Sequence, residues 1–159
     1  MNCSSRDPRI RGVAALVLTG VMVAFVAGCS TSSPKTGSPA AAAAFVSRVT
    51  TEFSRGQSGR LWDELIPADQ KIVTRARFVT CQAGEGWALK SIKVLETYGD
   101  PVQLGSSTLK ATAVSLQVTS DDGVTTATMH AVPDAGGWRW LLQPSDRAAY
   151  QAGKCPRTG

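Results

Sequence analysis

Ala113-Val-Ser-Leu-Gln-Val-Thr-Ser-Asp-Asp-Gly-Val-Thr-Thr-Ala-Thr-Met-His-Ala131 is the stretch whose reading decides the fold. Apolar and polar residues alternate through Val114, Leu116 and Val118, and the side-chain period of two is that of a half-buried strand. The strand is expected over Leu109 to Thr119, and Asp122-Gly123 is a two-residue hairpin signal. Pairing Asp121 with Val124 sets Val118 opposite Ala127, Leu116 opposite Met129 and Val114 opposite Ala131, which puts every apolar side chain on one face. The other face then carries Ser115, Gln117, Thr119, Thr126, Thr128 and His130. A second hairpin follows around Asp134-Ala135-Gly136-Gly137. Pairing Pro133 with Trp138 places Trp138, Trp140 and Leu142 on the face of Met129 and Ala131, with Arg139 and Leu141 opposite.

Upstream, Ser91 to Tyr98 alternates through Ile92, Val94, Glu96 and Tyr98 and ends at the turn Gly99-Asp100-Pro101, a further strand. Before Trp87 the period changes. Phe45, Val46, Val49 and Phe53 recur at helical spacing on an alanine background, so Ala40 to Arg55 reads as a helix, capped by Ser38 with Pro39 at its first position and ended by Gly56. Ser58 to Ile66 carries Leu61, Trp62, Leu65 and Ile66 on one side and reads as a second helix, interrupted by Pro67. Ala68 to Gln82 reads as a third, with Ile72, Ala76 and Val79 on one face and Lys71 and Arg75 on the other, a basic pair read as a solvated face. Helices followed by antiparallel strands with one apolar face predict an α+β domain, N-terminal helices on a curved antiparallel sheet of about four strands.

The N-terminal part reads differently. Arg6, Arg9 and Arg11 precede an apolar run from Val13 to Ala27, the layout of a signal peptide. The run is shorter than the ~20 residues a membrane-crossing helix needs. Val26-Ala27-Gly28-Cys29 looks like a bacterial lipobox, which implies a lipid-modified Cys29 at the new amino terminus after cleavage; an ordinary secretory cleavage site is the alternative. Residues 1–28 are thus expected to form a lipoprotein signal peptide, residues 29–38 the lipidated cysteine and a Ser/Thr/Pro/Gly linker, and residues 39–159 one domain.

Of the chain's 17 basic and 12 acidic residues, residues 1–28 hold three and one, so the remaining 131 residues carry 14 and 11 and a net charge of +3. That balance suits anionic headgroups and lacks the clustered Lys and Arg of a nucleic-acid surface, so no nucleic-acid partner is expected. With Cys3 and Cys29 accounted for, Cys81 and Cys155 remain of four cysteines. In an oxidising compartment they read as one disulfide, the alternative being two unpaired buried thiols. A single histidine and no Cys-x-x-Cys pair argue against a metal site.

The helix carrying Phe45 to Phe53, the Leu61-Trp62 segment, Arg77-Phe78-Val79-Thr80-Cys81 and the closing Gly136-Gly-Trp-Arg-Trp-Leu-Leu142 together resemble exported actinobacterial lipoproteins of the nuclear transport factor two-like, or cystatin-like, superfamily. The resemblance covers most of residues 39–155. It implies the same α+β fold and a helix–sheet interface that in some members encloses a ligand and in others only mediates contacts; fold alone does not choose between them.

Catalytic signatures are absent: the chain has no Gly-x-Ser-x-Gly elbow, His-Glu-x-x-His, Walker loop or dinucleotide glycine pattern, and no cofactor is expected. His130 falls beside Ser115 in the expected register, with no carboxylate placed to orient its ring. Asp63, Asp69 and Asp100 are the aspartates that a pocket enzyme would use, and each also sits at a helix start or turn where aspartate is common. Among the tryptophans, Trp138 and Trp140 are expected in the core, whereas Trp62 and Trp87, with His130, are the possible ligand or partner contacts. The expected function is a non-enzymatic accessory domain. It is anchored through lipid on Cys29 at the extracytoplasmic face of the cell membrane and binds an unknown envelope protein. The alternatives are a carrier of a small apolar ligand, and an isomerase-like or hydrolase-like enzyme using an aspartate with His130.

Overall fold

A computed structural model describes residues 37–84 and 86–156; the expected signal peptide, Cys29 and most of the linker lie outside them. The described residues are α+β: four helices, a four-stranded antiparallel sheet and a closing helix. Helix α1 (Pro39–Ser54) starts where Ser38 Oγ accepts the Ala41 amide at 3.2 Å, and it buries Phe45, Val46 and Val49 on one stripe. Gly56, at φ +64°, turns the chain out of it, a conformation that costs glycine little.

Helix α2 (Ser58–Asp63) is shorter than the apolar spacing predicts. Pro67 disfavours helical backbone at the residue before it, and Ile66 accordingly sits at φ −60°, ψ 148°. The chain straightens at Leu65 and bridges to Trp140, with the Ile66 amide donating to the Trp140 carbonyl and the Trp140 amide to Glu64. The expected third helix is in fact two, α3 (Pro67–Gln70) and α4 (Arg75–Cys81). The Val73 carbonyl is taken by the Trp62 indole N–H at 2.8 Å, and the Thr74 hydroxyl, not a helical carbonyl, accepts from the Arg77 amide. Thr74 therefore caps a new helix inside the expected one.

Strands β1 (Leu89–Gly99), β4 (Thr112–Ser120), β5 (Gly123–Asp134) and β6 (Gly137–Trp140) form the sheet in the order β1-β4-β5-β6. Between β1 and β4 the chain makes a separate hairpin that the sequence reading did not foresee, β2 (Val102–Leu104) and β3 (Ser107–Leu109). Pro133 pairs with Trp138 as expected. The β4–β5 pairing differs by two residues: Leu116 faces Ala127 and Val114 faces Met129, and the turn is Asp121-Asp122 with Gly123, at φ +130°, as the first strand residue. A slip of two preserves the faces, so Val114, Leu116, Val118, Met129 and Ala131 still point inward.

In β1 a bulge between Val94 and Glu96 breaks the expected alternation and moves Thr97, not Glu96, into line with Val114. Helix α1 lies across all four strands. Trp140 ends β6 in the middle of the core, its indole N–H donating to the Leu61 carbonyl at 2.8 Å and its ring meeting Phe53 edge-on at 5.2 Å. Helix α5 (Pro144–Gln151) buries Tyr150 against Phe78 and ends near Cys155, which is bonded to Cys81 with the Cα atoms 5.3 Å apart.

Candidate functional site

A cavity of about 550 Å³ lies between the helices and the inner face of the sheet. One wall is the last turns of α1 and the start of α2, through Thr50, Phe53, Ser58 and Leu61. The facing wall is the inner side of the β4–β5 hairpin, through Leu116, Val118 and Met129. Thr125 and Ala127 continue this inner face toward the hairpin tip; both are small and exposed, and the space a larger side chain would fill stays open.

Two segments border the ends of this half-open cavity. The loop before β1 places Trp87 at the cavity, its amide donating to the Ser54 carbonyl at 3.0 Å. Gly86 packs against the same carbonyl, which would lie 3.4 Å from a side-chain Cβ at that position. From the C-terminal side come Asp146 of α5 and Pro156, the residue after the disulfide-bonded Cys155. Helix α5 is clamped from below: the Asp69 carboxylate, fully buried, accepts from Arg147 Nε at 2.8 Å and Nη2 at 3.1 Å and from the Leu142 amide at 2.9 Å. Burial pushes the Asp69 carboxyl up, against the pull of the Leu142 amide and the Arg147 charge. Because Arg147 is next to Asp146 in α5, this pair helps hold the helix that carries Asp146 to the cavity wall.

Asp146 is itself partly desolvated. Burial raises its carboxyl above the ordinary aspartate value, and the Ser145 hydroxyl, donating at 3.3 Å, offsets part of that. No ion pair is made by Asp146 or by Asp122, the other acidic residue at the cavity, among the described residues.

The sequence-derived contact residues are dispersed. Trp87 lines the cavity, whereas Trp62 is half-buried beside the core with its indole N–H spent on Val73. His130 is on the opposite, outer face of the sheet, paired with Ala113. A carboxylate does orient its ring, contrary to the sequence reading: Asp100 Oδ2 lies 2.7 Å from Nε2. The Asp100 amide donates to the Ala111 carbonyl at 3.0 Å and closes the base of the β2–β3 excursion, which brings Asp100 across to His130. Such a pair can hold and orient a proton. Ser115, however, is engaged with Thr128 at 3.0 Å, one row away, and no hydroxyl hydrogen-bonds to the imidazole among the described residues. Of the other aspartates, Asp63 meets Arg75 at 3.3 Å in the open and Asp69 is structural.

No family profile matches the chain, and no curated protein sequence does. Among the described residues there is no group of three or more His, Cys, Asp or Glu side chains able to hold a metal ion, and no helix long and apolar enough to cross a membrane.

Proposed function

We propose that the chain is an exported, lipid-anchored carrier of the nuclear transport factor two-like kind that holds a small, mainly apolar ligand between its helices and sheet. The observation that carries this reading is the cavity. Its volume falls within the few hundred to a thousand cubic ångströms of small-molecule sites, and apolar side chains with a few polar groups make up its walls. A half-open pocket of this size between helices and sheet supports a carrier over an accessory domain for an envelope protein, which needs no such pocket. An enzyme is less well supported, because the Asp100–His130 pair and the cavity lie on opposite faces of the sheet.

The test is calorimetric titration of octan-1-ol into the protein purified from membranes of the producing cells into phosphatidylcholine nanodiscs, with empty discs as the blank. Saturable binding is expected, and Ala127→Trp, which adds an indole to an exposed inner-face position, should abolish it. Undiminished binding to Ala127→Trp, or absence of binding to the wild type by octan-1-ol and by its amine and carboxylate analogues of the same chain length alike, would overturn the carrier reading.

Location rests on the lipobox-like sequence ending in Cys29. Acyl chains on one residue hold a protein at a membrane through buried methylene groups, several chains doing so stably. Cys29→Ala is expected to move the protein from the membrane fraction to the soluble or unprocessed fraction with loss of radiolabelled fatty acid. A labelled Cys29→Ala protein would show that the lipid is elsewhere or that the anchor is different.

A further inference from the structure

We infer that the ligand is an amine, a protonated amino group on an apolar body, with Asp146 as its counter-charge. The inference rests on the carrier reading above and adds the chemical class of what is carried.

The sign of the cavity carries it. Lys and Arg outnumber Asp and Glu, 17 to 12, in the whole chain, yet the charged residues lining the cavity are Asp122 and Asp146, with no Lys or Arg among the described lining residues. Elsewhere the buried carboxylates have arginine partners: Asp69 has Arg147, Glu52 has Arg48 and Arg60, and the half-buried Glu64 has Arg48, while half-buried Asp100 has His130. Asp146 has only the Ser145 hydroxyl. The Asp146 carboxylate is partly shielded from water and has no positive partner, and a bound ammonium would supply one.

The rest of the wall fits the same class. Phe53 and Trp87 present ring systems, and aromatic faces attract cations as well as alkyl chains. Leu116 and Met129 supply the apolar surface for the body of the ligand. An anionic amphiphile such as a fatty acid would meet two carboxylates and no cation, and like charges brought together in a partly dry site repel.

Three probes that share one chain and differ only at the head test this: octylamine, octan-1-ol and octanoate, each titrated into the nanodisc-held protein at pH 7 with empty discs as the blank. Octylamine is expected to bind about tenfold more tightly than octanol, and octanoate most weakly. In Asp146→Asn, nearly isosteric with the wild type, the octylamine-to-octanol ratio should fall from about tenfold to near one. Octanol or octanoate binding as tightly as octylamine to the wild type would overturn the amine inference and leave the carrier reading standing. A preference for octylamine that survives Asp146→Asn would overturn the assignment to Asp146. Binding of none of the three would overturn the carrier reading and this inference together.

Discussion

Asp69→Ala is expected to destabilise the fold by about 3–5 kcal/mol, the cost of removing one partner from a buried ion pair. Asp69 is fully buried, and its carboxylate satisfies both Arg147 and the Leu142 amide. Truncation leaves the Arg147 guanidinium, whose side chain is only 16% exposed, without its counter-charge, and leaves a backbone N–H without an acceptor. The three groups come from α3, the chain after β6, and α5, so no local rearrangement replaces the lost oxygens. Urea unfolding followed by circular dichroism measures the effect as a fall in the midpoint at constant slope. Asp69→Asn, which keeps an acceptor and loses the charge, should fall between the two. Because Arg147 adjoins Asp146, both variants should also weaken octylamine binding at temperatures where they remain folded. A loss below 1 kcal/mol in Asp69→Ala would mean that Arg147 finds solvent and that the clamp on α5 is not structural.

Replacing both Cys81 and Cys155 by serine is expected to cost about 4–5 kcal/mol, the loop-closure contribution of a cross-link over 74 residues. The double substitution avoids a lone thiol. The bond ties the end of α4 to the C-terminal tail, and Pro156, the next residue, is part of the cavity wall. Stability and ligand binding should therefore fall together, and calorimetry at a temperature where the variant is still folded separates the two. Unfolding midpoints equal to the wild type's would show that the tail is held by packing alone.

The sheet was readable because its signal is local. Alternation from Val114 to Val118 and from Met129 to Ala131 needs only neighbouring residues, and it assigned the inner face correctly although the turn was misplaced; a two-residue slip leaves each side chain on its own side. The one-residue bulge after Val94 has the opposite effect, and nothing in Val94-Leu95-Glu96 announces it. The helical region misled where polar side chains competed with the backbone. Apolar spacing continues from Ile72 to Val79, but Thr74 capped a new helix and Trp62 took the Val73 carbonyl, contacts that depend on tertiary placement.

The site was harder still. Trp87 stood out beside Gly86, yet Asp146 reads as an ordinary helix-start aspartate after Pro144, and only the tertiary placement of α5, held by Asp69–Arg147, Tyr150 and the disulfide, brings it beside residues from α1 and the sheet. The Asp100–His130 contact was hidden for a related reason: the β2–β3 hairpin separates Asp100 from its sheet neighbours in sequence but not in space.

Native mass spectrometry of the protein purified from the membranes of its own cells, without added ligand, tests the carrier reading most directly. The prediction is a single small-molecule adduct on the wild type, retained under gentle activation and missing from Ala127→Trp. Wild-type protein that is folded and bare, or an adduct equally abundant on Ala127→Trp, would contradict it.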